Sequence, residues 1–245
     1  MKISLLTDIG QRRSNNQDFI NKFDNKKGIS LIVLADGMGG HRAGNIASEM
    51  TVTDLGREWV GTELTDPEQI RQWLSATLEA ENQKIFGLGQ TEDYKGMGTT
   101  VEALVLIGSH VIYAHVGDSR IGHVRQGTYQ LLTSDHSLVN ELVKAGQLTE
   151  EEAASHPQKN IITQSIGQAN PVEPELGEIW LETGDYLVIN SDGLTNMVTN
   201  EEIVATLNKE IPLDDQNKEL VELANNRGGL DNITIALVHV ESEGE

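Results

Sequence analysis

Apolar runs that stop at a carboxylate recur along this chain. Leu31 to Ala35 is unbroken in its apolar character, the pattern of a strand buried on both faces, and it ends at Asp36-Gly37-Met38-Gly39-Gly40. Val111 to Val116 runs into Gly117-Asp118-Ser119-Arg120, and Tyr186 to Asn190 runs into Ser191-Asp192-Gly193. Near the C-terminus the order reverses, with Gly228-Gly229-Leu230-Asp231-Asn232 ahead of the apolar run Ile233 to Val240. A strand that starts after an Asp, laid antiparallel to one that finishes at an Asp, puts both carboxylates at the same end of a sheet. One Asp-Gly ending is an ordinary turn. Four acids converging at one sheet edge repel strongly, and a hard divalent cation with oxygen ligands, magnesium or manganese, resolves that repulsion.

The remaining pattern fills in the elements. Ile3 to Leu6 reads as a first strand. Ala43, Ile46, Ala47, Met50, Leu55 and Trp59 recur at helical spacing, and Asp66-Pro67-Glu68-Gln69 opens a second helix whose buried stripe is Ile70, Trp73, Leu74, Leu78 and Ile85. Strands follow at Val101 to Ile107, Val111 to Val116, Ile121 to Arg125 and Tyr129 to Thr133. Their short links predict one antiparallel meander and argue against a Rossmann arrangement, and the glycines after Asp36 lack the Lys-Ser/Thr of a phosphate-binding loop. Between Asp135 and Glu178 come two short helices, closed by Gly146 and opened by Thr149 respectively, then an irregular stretch broken by Pro157, Pro171 and Pro174. Residues 135–178 are a candidate lid over the acidic edge. Helices from about Glu201 to Lys209, with Asn200 as cap, and from about Asp214 to Asn226 flank the last two strands.

Composition narrows the chemistry. The chain has 245 residues, read as one domain, and no cysteine, which excludes disulfides, thiolate zinc sites and a cysteine nucleophile. Its formal net charge of -20, from 18 Lys and Arg against 38 Asp and Glu, disfavours nucleic acid as a partner and favours cations. No segment has the apolar length of a signal peptide or a membrane span, so a cytoplasmic chain without membrane insertion is expected. Against that acidic background, Arg12 and Arg13 stand out in the polar loop Gly10 to Asp18, a sensible place to hold an anion beside a metal.

Taken in order, Arg13 with Asp18, Asp36-Gly37, Gly98-Thr99-Thr100, Val116-Gly117-Asp118-Ser119-Arg120, Ser191-Asp192-Gly193 and Gly229-Leu230-Asp231-Asn232 make a specific set. The chain resembles the metal-dependent protein phosphatases of type 2C, in particular their compact bacterial members, from Thr7 to Val240. The resemblance implies an α+β fold: a four-layer α-β-β-α sandwich, two central antiparallel sheets flanked by helices, with two or three Mg2+ or Mn2+ ions at one end. It implies that Asp36 bridges two metals, the Gly37 carbonyl completes the second, Asp192 and Asp231 hold the first, and Asp18 acts through water. It further implies that Asp118 shares a third metal with Asp192 and that Arg13 binds phosphate, while Arg12 has no assigned role.

The implied reaction is hydrolysis of phosphoserine and phosphothreonine in proteins by hydroxide from a water shared by two cations, without a covalent intermediate. Animal members carry histidine directly after Asp-Gly, where this chain has Met38. His41 is therefore a candidate general acid beside the alternative of a metal-bound water. The expected partners are phosphorylated proteins and a membrane-anchored serine/threonine kinase whose work the enzyme opposes, and a monomer is expected. Two other classes are disfavoured: a non-catalytic relative would be expected to have lost metal-site acids, all retained here, and the acidic surface counts against a nuclease or phosphodiesterase.

Overall fold

The structure is a computed structural model that describes residues 1–39 and 43–241. In chain order its strands are Lys2–Asp8 (β1), Asp18–Asp24 (β2), Ser30–Met38 (β3), Gly98–Thr99 (β4), Val101–Ile107 (β5), His110–Val116 (β6), Arg120–Arg125 (β7), Thr128–Leu131 (β8), Glu175–Trp180 (β9), Tyr186–Asn190 (β10) and Ile233–His239 (β11). The helices are Ala43–Gly61 (α1), Pro67–Leu88 (α2), Leu138–Lys144 (α3), Glu150–Ala154 (α4), Asp192–Thr195 (α5), Asn200–Leu207 (α6) and Leu213–Asn226 (α7).

Two antiparallel sheets result, one ordered β1-β11-β10-β7-β8 and the other β2-β3-β5-β6-β9 with β4 appended to β3. Because side chains alternate along a strand, β3 can serve two cores at once. Leu31, Val33 and Ala35 pack with α1 and α2, including Leu55, Trp59, Leu74 and Leu78. Ile32 and Leu34 point the other way and meet Leu187, Ile189, Ala236 and Val238 of the facing sheet. On the far side, Val188, Ile235 and Leu237 pack under Ile203, Leu207, Leu220 and Ala224 of α6 and α7. The four-layer α-β-β-α sandwich that the family resemblance implies is the fold observed.

Three departures from the sequence reading are informative. The four strands expected to form one meander divide between the sheets: β5 pairs with β6, β7 pairs with β8, and the chain crosses from one sheet to the other at Gly117 to Ser119. Gly117 has φ +118°, a conformation open to glycine, and its carbonyl accepts a hydrogen bond from the His136 amide at 2.6 Å. β9, inside the segment read as irregular, pairs with β6 from His110↔Trp180 to His115↔Glu175. The cap of α6 is Thr199, whose hydroxyl accepts from the Glu202 amide in a capping box, and Asn200 is the first helical residue. No helix among the described residues is long and apolar enough to cross a membrane.

Trp59 is the largest fully buried side chain, stacked at a tilt on Trp73 with ring centroids 5.0 Å apart, and its Nε1 donates to the Ile29 carbonyl at 2.9 Å. Trp59→Phe removes that donor, leaving the Ile29 carbonyl with the Asn25 amide alone, and opens a void beside the head of β3. Urea unfolding should show a loss of about 1–3 kcal/mol, with helix content by circular dichroism retained.

Candidate metal and phosphate site

The topology delivers acids from both sheets to one end of the sandwich. Asp18 and Asp36 are register partners across β2 and β3. β3 and β6 each pair antiparallel with β5, so they run parallel to each other, and the turn after β6 carries Asp118 to the end where Asp36 lies. In the second sheet β10 and β11 are antiparallel, so Asp192, two residues after β10, and Asp231, two residues before β11, share an end. Ser191 stitches the two sheets together: its hydroxyl donates to Asp18 Oδ2 at 2.7 Å and accepts from the Thr234 amide at 3.0 Å.

Backbone hydrogen bonds fix each acid in place. The Asp36 amide donates to Thr100 Oγ1 at 3.0 Å, and the Asp36 carbonyl accepts from Thr99 Oγ1 at 2.8 Å and from the Thr100 amide at 2.9 Å. Thr100 Oγ1 in turn lies 2.9 Å from Ser119 Oγ, tying the Asp118 turn to the Asp36 backbone. The Gly37 amide donates to the Gln17 carbonyl at 3.0 Å, and Asn232 Oδ1 accepts from the Gln17 amide at 2.8 Å. A Cβ at position 193 would lie 1.9 Å from the Asn232 carbonyl oxygen, so only glycine lets the Asp192 turn approach the Asp231 strand this closely. The sequence reading noted Thr99, Thr100, Ser119, Ser191 and Asn232 only as motif neighbours and gave Thr234 no role. The available signal was a hydroxyl or amide side chain within a residue or two of nearly every acid.

Electrostatically the site is strained in favour of a cation. Burial, followed by the charges of Asp18, Asp192, Asp118 and Asp231, holds the Asp36 carboxyl well above the usual range. Burial pushes Asp18 up to about 6 despite hydrogen bonds that favour its charged form. Asp118 rises to about 7, through burial first and Asp192 and Asp135 next. Asp192 is raised by burial and by Asp231. Asp18 Oδ1 is buried with no hydrogen-bond partner among the described residues, an orphan oxygen of the kind a hard cation satisfies. The residues present therefore fit a divalent centre.

Arg13 faces this group. Its Nη2 donates to Asp231 Oδ2 at 2.6 Å, and that hydrogen bond, opposed by burial and helped by the nearby carboxylates, raises the guanidinium further. Arg12 is exposed. The structure thus brings together Arg13, Asp18, Asp36, Asp118, Asp192 and Asp231, with Gly37 next in chain to Asp36. His41 lies outside the described residues.

A second donor set, His115, His136 and Glu175, has ligand atoms within 4.8 Å of one another. Its hydrogen bonds suit structure better than metal. His136 Nδ1 accepts from the Gly117 amide at 3.1 Å, which leaves the ring proton on Nε2, the atom a cation would need. His115 Nδ1 lies 2.5 Å from Glu102 Oε1, both fully buried beneath the crossing between the sheets. Above this layer a cleft of about 470 Å3 runs from Asp118 and Asp192 past Arg120 to Val139 and Ala153 of α3 and α4. Arg120 grips Asp135 with two bonds of 3.0 and 2.7 Å, anchoring the near end of the candidate lid.

A family model described as protein phosphatase 2C matches residues 10–228. Protein phosphatase PhpP of Streptococcus pneumoniae (serotype 2, strain D39) is 61% identical over 243 residues, covering 99% of each chain. The solved S. agalactiae serine/threonine phosphatase is 72% identical, covers 98% of this chain and 99% of its own, and superposes with a TM-score of 0.97. The catalytic domain of the serine/threonine protein phosphatase PstP, solved in complex with 2 manganese ions, is 32% identical over 98% of each chain at a TM-score of 0.84. Matched from its arginine loop to the end of its last helix, and along nearly its whole length by these relatives, the chain belongs to the protein phosphatase 2C family.

Proposed function

We propose that this chain hydrolyses phosphoserine and phosphothreonine esters in proteins with two or three divalent cations, and that it opposes a membrane-anchored serine/threonine kinase. The observation that carries the reading is the convergence of five aspartates from two sheets on one end, with burial opposing ionisation of Asp18, Asp36, Asp118 and Asp192 and with Arg13 at their margin. Asp36, Asp192 and Asp231 would hold the principal ions with the Gly37 carbonyl, Asp18 would act through water, and Asp118 with Asp192 would serve a third. When bound, the ions supply acidified water and offset charge on the phosphoryl group. The remaining work falls to the chain. Asp36, gripped by Thr99 and Thr100, cannot retreat from its neighbours, so the acids stay preorganised. Arg13, released from Asp231, has the planar fork that two phosphate oxygens fit. Its side chain is half exposed, which lets it turn between the two partners. Residues 135–178, held at the near end by Arg120 and roofing the cleft beside Asp118 and Asp192, would act as the lid.

Three outcomes test this. Asp36→Asn should abolish manganese-dependent turnover of a phosphothreonine peptide while the metal-free protein keeps at least wild-type thermal stability, because a buried like charge is removed. Retained turnover in metal-replete buffer would end the binuclear reading.

Arg13→Ala should raise KM for the peptide about 10- to 100-fold, the worth of a charge-assisted pair, while calorimetric manganese affinity is unchanged or tighter since Asp231 loses a competitor. A matching loss of metal affinity would show that Arg13 organises the acids instead.

The pH dependence of Asp118 gives the third. Its carboxyl moves from 3.8 to about 7 on folding, so its contribution is fully present below about pH 3.8 and is lost as pH rises through about 7. In chelator, the Tm advantage of Asp118→Asn over wild type should therefore widen across that window, and manganese should shrink it. A pH-independent difference would place Asp118 outside the acidic cluster's electrostatics.

A further inference from the structure

Arg12 is the one arginine among the described residues that makes no ion pair. Of the eight arginines in the sequence seven are described, and six of these make ion pairs: Arg13 with Asp231, Arg57 with Asp54, Arg71 with Glu178, Arg120 with Asp135, Arg125 with Asp185 and Arg227 with Glu202. Arg12 is exposed and has no carboxylate among the described residues within ion-pairing distance. In a chain of net charge -20 an arginine without an acid is unexpected, and this one directly precedes the arginine that faces the acidic cluster.

Its backbone is clamped. The amides of Gln11 and Arg12 both donate to the Gly229 carbonyl, at 2.8 and 3.1 Å, and Asn232 Nδ2 donates to the Ile9 carbonyl at 2.9 Å. The loop that carries both arginines is thereby bound to the strand entry that carries Asp231. Leu230 and Ile9, from the two sides of this clamp, are 55% and 40% exposed. A guanidinium and two apolar side chains are thus held open to solvent beside the candidate phosphate site. Adjacent Cα atoms stand about 3.8 Å apart, and an extended peptide advances about 3.3–3.6 Å per residue. A substrate segment whose phosphate meets Arg13 therefore has its next one or two residues within reach of Arg12.

We propose that Arg12, with Leu230 beside it, is a specificity rim that docks an acidic side chain flanking the phosphorylated residue of the substrate; this rests on the phosphatase reading above. Charge complementarity selects the occupant. The chain as a whole repels an acidic segment, so such a segment needs one local cation to seat it, and a guanidinium grips a carboxylate through two parallel bonds. Leu230 covers the peptide's backbone and aliphatic stems, contributing to affinity without regard to charge.

The full chain loaded with manganese would be assayed on three phosphothreonine peptides that differ only in carrying Glu, Gln or Lys beside the phosphorylated residue, and on an aryl phosphate. Wild type should prefer Glu over Gln over Lys through KM, with kcat common to all three. Arg12→Glu should reverse that order, losing about fivefold or more in kcat/KM on the Glu peptide and gaining on the Lys peptide. Leu230→Ser should raise KM for all three peptides and leave their order intact. An unchanged order in Arg12→Glu, or an equal loss on all peptides and on the aryl phosphate, overturns the rim alone. Failure of wild type to turn over any peptide overturns the phosphatase reading, and the rim with it.

Discussion

Like charges forced together out of water are the constraint on which this structure turns. The carboxyls of Asp18, Asp36, Asp118 and Asp192 are disfavoured as anions by burial and again by neighbouring acids, which is why Asp36 and Asp118 are pushed so far above their ordinary range. A loose chain would relieve this by letting the acids swing apart into solvent. The fold prevents it by spending hydroxyls and amides on the backbone of the acids, leaving most carboxylate oxygens free. Thr99 and Thr100 take both the carbonyl and the amide of Asp36, and Asn232 takes the amide of Gln17 next to Asp18. The carboxyl groups are held by their chains and left short of donors, and a polar site in that condition is prepared for a cation.

How far this could be read in advance depended on whether the signal lay in one element or between two. The uninterrupted apolar run Leu31 to Ala35 announced a strand buried on both faces because no other element buries every side chain over so short a span, and β3 does feed two cores. The reversed order at Asp231 announced an antiparallel pairing with a strand that ends in Asp, and the structure supplies it as β10 with β11. Asp18 needed the family resemblance, since its strand, Asp-Phe-Ile-Asn-Lys-Phe-Asp, lies at a sheet edge, is mostly half exposed and carries no clean alternation. The cap of α6 lies at Thr199, one residue before the Asn200 that the sequence suggests, because Asn200 is as good a cap by type and only geometry chooses between adjacent candidates.

The division of the expected meander is the more instructive miss. A short link between two strands looks the same whether they pair or part, and Gly117-Asp118-Ser119 reads as a hairpin turn. What makes it a crossing is contact with segments far away in sequence: the His136 amide on the Gly117 carbonyl, Thr100 against Ser119, and the buried pair Glu102 and His115 on the strands below. None of these is visible in a local window. The same crossing is what puts Asp118 at the mouth between the sheets, so the part of the fold hardest to read from sequence is also the part that enlarges the acidic site.

On the proposed reading, Arg13 and Asp231 would connect this electrostatic problem to the substrate. Their bond is a pairing of a cation with one acid of a group that is otherwise all negative, and it leaves Asp231 partly spoken for. An ion that takes Asp231 as a ligand must compete with the guanidinium, and the guanidinium it displaces becomes available to an incoming phosphate. On the proposed reading, occupation of the acidic cluster and recruitment of phosphate would be linked through one side chain, each favouring the other by the free energy that the Arg13 to Asp231 bond no longer withholds. The linkage needs no movement of the backbone, because the loop bearing Arg13 is fastened to Gly229 and Asn232 through the main chain and only the side chain turns. A rigid loop with one exchangeable arginine suits a site in which the backbone of Asp36 is clamped by Thr99 and Thr100 and the counter-charge can turn.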